Sequence, residues 1–254
     1  MRIVAVLDVY GGCGATTVAA HLAQALHQQR RPVFAFDFCP ENVLRLHFGM
    51  AWEDGSGFAP RMLEGSAWHE AAFRSSSGLA FIPFGALPDG RALDALGALL
   101  ETRPGWLRAD IDALEFPAPP VLVCDCPRGP AALRSQILEE ADLVLLVCRP
   151  DPVAYAAATR IARDAAQNGG PPTMIVLNGF DPARRLDRDI SALLRTGHRE
   201  LLSPVAVHRD ESIREALACK QTVFEFAPDS QAAYDFDTLA TWTIARLGRG
   251  TATS

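Results

Sequence analysis

Residues that could hold phosphate lie close together near the start of the chain. An apolar run over residues 4–9 leads into three glycines between residues 11 and 14, then Thr16 and Thr17, then a helical pattern. A strand, a glycine-rich turn and a helix in this order build a phosphate cradle, because the turn's N–H groups point inward and the helix start carries a positive dipole end. The predicted nucleotide-binding residues of this loop are Gly11, Gly12, Cys13, Gly14, Ala15, Thr16 and Thr17.

The loop departs from the common P-loop pattern G-x-x-x-x-G-K-[ST] at two positions. Ala15 occupies the position of the lysine, and Val9 that of the first glycine. Thr16 is placed to bind Mg²⁺ and Thr17 to reach a phosphate oxygen, although both residues also suit the first turn of a helix. The sequence therefore predicts a nucleotide cradle that has lost its cation.

Polar residues also follow several other apolar runs. Asp37 and Asp125 each come at the end of a predicted strand, and Asn178 follows the run 174–177. Ligands of parallel sheets bind beyond the carboxyl ends of the strands, so these side chains should meet the glycine loop at one edge. We expect the two aspartates to be magnesium or switch carboxylates and Asn178 to bond a purine edge. An ordinary turn role remains the alternative for Asp125 and for Asn178.

Apolar runs and helical patterns alternate along most of the chain. The predicted strands are residues 2–9, 33–37, 79–83, 121–124, 143–148, 174–177 and 205–207. The predicted helices are residues 16–29, 152–167, 190–199, 212–218 and 230–247. This alternation predicts one α/β domain over residues 1–248, a mostly parallel β-sheet covered by helices on both faces. Short turns are expected over 52–78, one or two helices over 90–120, and a short disordered tail over 249–254.

Composition narrows the class of protein. The net charge of −6 argues against nucleic acid or an anionic membrane as the main partner. The six cysteines are scattered, several in apolar runs, which is typical of free thiols in a reducing cytoplasm. Apolar runs fall short of the roughly 18 residues of a membrane span, and the start of the chain lacks a leader pattern. We expect a cytoplasmic protein without direct membrane insertion.

Short motifs that span nearly the whole chain resemble one family. They lie at residues 11–17, 39–46, 61–65, 82–85, 126–128, 208–211 and 218–223. In this order they resemble the MinD/ParA group of P-loop ATPases, whose deviant Walker signature is K-G-G-x-G-K-[ST]-T, and within it the BcsQ (YhjQ) family of cellulose-biosynthesis proteins. The resemblance implies a P-loop fold, ATP and Mg²⁺ as cofactors, and a sandwich homodimer around two ATP molecules.

The resemblance also implies partners and further site residues. A small BcsR-like protein and cytosolic or inner-membrane components of the cellulose synthase complex are the expected partners, so membrane association would be indirect. The loop around His208, Arg209 and Asp210 contacts the base or ribose in related ATPases, which makes Arg209 and Asp210 nucleotide-binding candidates. Asp210 could instead cap the helix that follows it.

The departures from the family pattern concern hydrolysis. Tyr10 stands at the signature lysine, Ala15 at the P-loop lysine, and Cys39 at the switch I aspartate, although Asp37 remains two residues earlier. Losing one transition-state donor typically costs about 10²–10³ in rate, so three losses predict little or no ATP hydrolysis. The main hypothesis is therefore an ATP-binding accessory or scaffold protein of cellulose synthesis and secretion.

Two alternatives stay open at this point. One is a scaffold that binds no nucleotide and keeps only the fold. The other is an active ATPase in which an arginine replaces the lysine, because Arg128, Arg149 and Arg209 all fall in strand-end loops and guanidinium groups suit phosphate.

Overall fold

The computed structural model describes residues 1–112, 116 and 118–249. Residues 250–254 of the predicted tail, and part of the segment 90–120, lie outside the described residues. Within the described residues, eight strands form one sheet in the order β3-β4-β2-β5-β1-β6-β7-β8. The strands are β1 (Arg2–Asp8), β2 (Val33–Asp37), β3 (Phe73–Arg74), β4 (Ala80–Ile82), β5 (Val121–Asp125), β6 (Leu143–Cys148), β7 (Thr173–Phe180) and β8 (Val207–His208). All neighbouring strands are parallel except β3, which is antiparallel to β4.

Helices connect the strands and cover the sheet. They are α1 (Ala15–Gln28), α2 (Phe58–Leu63), α3 (Gly90–Glu101), α4 (Trp106–Asp112), α5 (Ala131–Glu140), α6 (Pro152–Gln167), α7 (Arg185–Gly197), α8 (Ser212–Ala218), α9 (Val223–Phe226) and α10 (Gln231–Arg249), with 3₁₀ turns at Leu44–Phe48 and Trp68–Ala71. Within the described part of the chain, no helix is both long and apolar enough to cross a membrane.

The sheet is buried on both faces because its strands are apolar at successive positions, which point to opposite sides. In β1, Ile3 and Leu7 pack into one core with residues of α2 to α7. Val4 and Val6 pack into the other core, with residues of α1, α8, α9 and α10. The predicted fold class, a mostly parallel sheet between two helical layers, is confirmed.

Several predicted boundaries were wrong. Strand β7 continues three residues beyond the predicted run and pairs with β8 through Asn178 and Phe180 across an irregularity, so Asn178 lies inside a strand. Helix α7 begins five residues earlier than predicted, and β8 begins two residues later. Helix α5 and strand β3 were not predicted. Arg249, assigned to the tail, is the last residue of α10.

The order of the central strands determines which residues meet. Strands β2, β5 and β1 are neighbours, and Asp37 at the end of β2 lies directly opposite Asp125 at the end of β5. Asp125 also lies opposite Val6 of β1, two residues before that strand ends. The glycine loop and both aspartates are therefore brought to one edge of the sheet, as predicted.

Candidate functional site

The glycine loop connects β1 to α1 and turns its amides inward. Gly12 and Gly14 have φ angles of +86° and +97°, in the left-handed region that glycine adopts without strain. Gly14 is also the N-cap of α1, and it offers no side chain to bond the first helical N–H groups. The N–H group of Ala15, the first residue of α1, therefore needs another acceptor, as do the loop N–H groups of Gly12 and Cys13.

That acceptor is Asp8, the last residue of β1. Its Oδ2 accepts hydrogen bonds from the N–H groups of Gly12 (3.1 Å) and Cys13 (3.2 Å), and its Oδ1 accepts one from Ala15 (2.8 Å). Burial raises the pKa of the Asp8 carboxyl, while these hydrogen bonds and the charge of Arg128 act in the opposite direction. Sequence reasoning gave Asp8 no role, although an acidic residue that interrupts an apolar run just before a glycine loop is a visible signal.

Two side chains bracket the loop from outside. Arg128 Nη1 lies 2.9 Å from the point where a Cβ on Gly11 would be, so this candidate arginine lies against the loop. The Tyr10 hydroxyl donates a hydrogen bond to the Asp151 carboxylate. Asp151 also caps α6, because it accepts a hydrogen bond from Ala154 N–H at 2.8 Å. At the signature-lysine position, the side chain is thus tied within its own protomer.

Asn178 holds the loop from β7. Its Nδ2 donates to the Cys13 carbonyl at 2.7 Å, and a Cβ on Gly14 would collide with this amide group. Gly14 is therefore needed for space as well as for its φ angle. One N–H of the Asn178 amide is engaged with the protein, which leaves its second N–H and Oδ1 for other partners. A contact between Asn178 and a purine edge stays a prediction.

The two aspartates differ in how they are satisfied. Asp37 is fully buried, and it accepts from Cys39 N–H (2.9 Å) and Leu44 N–H (3.2 Å), which fixes the loop after β2. Asp125 is also fully buried, but both of its carboxylate oxygens lack a hydrogen-bond partner among the described residues. Burial raises the pKa of Asp125 to about 7, although the side chains of Thr16 and Cys39 lower it in part. Burial and the charge of Asp125 likewise raise the pKa of Asp37.

An unpartnered buried carboxylate fits a cation, since burying such a charge alone is costly. Asp37, Cys39 and Asp125 each offer a ligand atom, and these atoms lie within 4.8 Å of one another. The carboxylates and the Thr16 hydroxyl suit Mg²⁺, which prefers oxygen ligands. The Cys39 thiol does not, because sulfur favours softer metals.

A cavity of about 710 Å³ opens beside the loop. It is lined by loop residues including Thr17, by the exposed guanidinium groups of Arg149 and Arg209, and by Asn178. A volume of this size is within the range of small-molecule sites. The predicted site residues divide between those that line this cavity and those that do not. The cavity is lined by Gly12, Cys13, Gly14, Thr17, Asn178, Arg209 and Asp210. The residues outside its lining are Gly11, Ala15, Thr16, Asp37 and Asp125.

The residues around 208–210 have structural partners. Asp210 accepts from Ser212 N–H (3.0 Å) at the start of α8 and from Ala232 N–H (3.2 Å) in α10. Burial alone would raise the pKa of the Asp210 carboxyl, but these hydrogen bonds hold it below its usual value. His208 Nδ1 pairs with Asp235 Oδ2 at 2.8 Å. The capping alternative for Asp210 thus describes its contacts, and a nucleotide contact stays a prediction.

Comparison with known proteins identifies the family. The family model described as "Cellulose biosynthesis protein BcsQ" matches residues 1–244. The chain belongs to the BcsQ family. It is 31% identical to the cellulose biosynthesis protein BcsQ of Escherichia coli K12 over 245 residues, which covers 96% of this chain and 94% of that protein.

Solved structures with the same fold extend beyond the BcsQ family. The septum site-determining protein MinD of Pyrococcus horikoshii, complexed with Mg-ADP, matches with a TM-score of 0.76 at 20% identity and covers 98% of both chains. Cobyrinic acid a,c-diamide synthase of Mycobacterium smegmatis, with a bound ATP analogue and magnesium, matches with a TM-score of 0.75 at 21% identity over 98% of this chain and 97% of that one. The fold is that of the MinD/ParA P-loop proteins.

Proposed function

We propose that this chain is an ATP-binding accessory protein of bacterial cellulose synthesis and secretion that hydrolyses ATP slowly or not at all. The observation that carries the proposal is the amide cradle, in which the N–H groups of Gly12, Cys13 and Ala15 converge on a single anionic group. Backbone amides at a helix start recognise phosphate in the same way. Thr16 and the unpartnered carboxylate of Asp125 would hold the Mg²⁺ that accompanies ATP.

Slow hydrolysis follows from the side chains around the cradle. Ala15 supplies no cation, Tyr10 is bonded to Asp151, and Cys39 offers a thiol where an aspartate would orient water. Phosphoryl transfer depends on positioned cations and an oriented nucleophile. We expect nucleotide binding to lose less than catalysis, because the loop amides and the helix dipole remain and the Thr16 hydroxyl could still hold Mg²⁺.

The proposed active form is a sandwich homodimer that closes over two ATP molecules and acts as a scaffold. Leu186, which lines the cavity, and Val153, beside Asp151, are apolar yet 50% and 69% exposed. Covering such residues favours association. A small BcsR-like partner and components of the inner-membrane synthase complex would then bind the dimer in the cytoplasm.

Two observations favour the competing functions. The cradle is filled by the chain's own Asp8, as a scaffold without nucleotide would allow. Arg128 lies against Gly11, as an ATPase with an arginine in place of the lysine would require. We rank first the protein that binds ATP and hydrolyses it slowly or not at all, because both observations are also compatible with it.

The test combines calorimetry with light scattering on the full chain. We expect Mg–ATP to bind the wild type and to double its mass, with turnover far below that of an ordinary ATPase. Thr16→Ala should weaken binding at least tenfold, because it removes the magnesium hydroxyl. Thr238→Ala is the matched control, since this half-buried hydroxyl in α10 donates to the Tyr234 carbonyl of the same helix, away from the loop.

A wild type that neither binds nor dimerises in millimolar Mg–ATP would contradict the proposal in favour of the scaffold without nucleotide. Fast turnover that is abolished by Arg128→Ala would instead establish the arginine-rescued ATPase.

A further inference from the structure

The glycine loop already holds an anion, and that anion belongs to the same chain. Three loop amides donate to the Asp8 carboxylate over 2.8–3.2 Å. Successive N–H groups in a turn form a concave anion site, and a helix start adds to it. A carboxylate whose two oxygens accept all three N–H groups occupies the volume and the donors that a phosphate group would use.

Carboxylate and phosphate cannot share this cradle. Each amide has one hydrogen to donate, so a phosphate must take the donors that Asp8 now has. The two groups are also both negative, and like charges a few ångströms apart repel strongly where water is excluded. Nothing at position 15 offsets that repulsion, because alanine replaces the lysine.

The surroundings of Asp8 allow it to leave. Burial raises the pKa of its carboxyl, which means that the charged group gives up solvation to stay in the loop. Arg128 lies on the outer side of the loop at Gly11, where its exposed guanidinium could pair with either anion. Release of Asp8 would leave three N–H groups free, two in the loop and the first of α1, with a cation beside them.

We propose that Asp8 is a displaceable internal ligand of the cradle, which occupies the phosphate position and must leave before the loop binds an external phosphate. Asp8 then determines which anion the loop holds, its own carboxylate or a nucleotide phosphate. The inference rests on the proposed function in taking ATP as the natural ligand of the loop. The competition between the Asp8 carboxylate and a phosphate group would hold for any phosphate.

The experiment measures the binding of two probes, Mg–ATP and inorganic pyrophosphate with Mg²⁺, by calorimetry. We expect Asp8→Ser to bind both probes at least tenfold more tightly than the wild type. Asp89→Ser is the matched control. Asp89 also accepts a helix N-terminal amide, from Ala92 at 3.0 Å, but caps α3, so its removal should leave both affinities unchanged.

A second readout does not need a ligand. Amide exchange at Gly12, Cys13 and Ala15 should be at least tenfold faster in Asp8→Ser, because the acceptor is gone. If the serine variant fails to fold, Asp8→Asn replaces it. That side chain has the same shape but no charge, and the same direction of change is expected for both probes.

The outcomes separate this inference from the proposed function. Tighter binding of both probes supports both. Tighter pyrophosphate binding with no ATP binding by any variant supports the internal ligand and contradicts the ATP proposal. Folded Asp8 variants that bind neither probe more tightly than the wild type overturn the internal ligand, whether or not the wild type binds ATP.

Discussion

Two regions at the same edge of the sheet differ in whether their polar groups have hydrogen-bond partners within the chain. At the glycine loop, the amides of Gly12, Cys13 and Ala15 are already satisfied by Asp8. At the ends of β2 and β5, the buried Asp125 carboxylate has no hydrogen-bond partner among the described residues. The loop amides are satisfied within the chain, whereas the buried Asp125 carboxyl would be satisfied by a proton or by a cation. Under the two proposals above, the Mg²⁺ half of the site, at Asp125, is open, and the phosphate half, at the glycine loop, is closed by Asp8.

The largest effect should come from the open half. Asp125→Asn removes a buried, unpartnered charge, and we expect the metal-free protein to gain about 1–3 kcal/mol at pH 8. Calorimetric or optical melting in EDTA measures the gain. Asp142→Asn is the control, because Asp142 is paired with Arg2 at 2.6 Å and should instead lose stability when changed.

The stability difference between the wild type and Asp125→Asn should also depend on pH, in a direction that the pKa of Asp125 determines. The folded pKa of Asp125 is raised to about 7 from a usual value of 3.8. A raised acid pKa favours the folded state at low pH, so this contribution is lost as pH rises between these values and stays lost above them. The wild type should gain stability relative to Asp125→Asn as pH falls from 8 to 5. A constant difference would mean that the carboxylate is neutralised by something else.

The closed half predicts a coupled effect. Ala15→Lys alone should change the affinity for Mg–ATP less than threefold, because the new ammonium would pair with Asp8 and secure it in the loop. In an Asp8→Ser background the same lysine should strengthen binding at least tenfold, about 1.4 kcal/mol. A double-mutant cycle measures this coupling. Equal gains in both backgrounds would show that Asp8 does not compete with phosphate.

The smallest effect concerns the tie between the loop and α6. Tyr10→Phe removes the hydroxyl that bonds Asp151 and should cost about 0.5–1.5 kcal/mol, the usual net value of such a bond. Chemical denaturation measures the loss. Tyr234→Phe changes a side chain that is 69% exposed and should be neutral. If both variants have wild-type stability, the tie does not hold the loop.

Much of the fold could be predicted because it depends on local patterns. Helix α6 has its predicted bounds, since Asp151 caps it and Pro152 begins it. Helix α5 was missed because its pattern is only weakly amphipathic and Gln136 points inward, with its amide bonded to the Leu100 carbonyl. Strand β3 has two residues and exists only through its pairing with β4, which no local pattern reveals.

The site was predictable as a set of positions but not as a set of contacts. Strand ends placed Asp37 and Asp125 together, because adjacent parallel strands end at one edge. The role of Asp8 depends on how the loop curls back over the strand that precedes it. The direction of the Asn178 side chain depends on β7 continuing past its apolar run to pair with β8. Both are decided by tertiary geometry.

Asp151 connects the loop to the outside of the molecule. One oxygen of its carboxylate accepts from Tyr10 in the loop, and the other accepts from Ala154 N–H in the first turn of α6. Movement of the loop must therefore redistribute bonding at the beginning of that helix, where Val153 is 69% exposed. A protein bound at the start of α6 would therefore respond to the position of the loop without contacting its ligand. By holding Asp151 in place, such a protein would also favour one position of the loop.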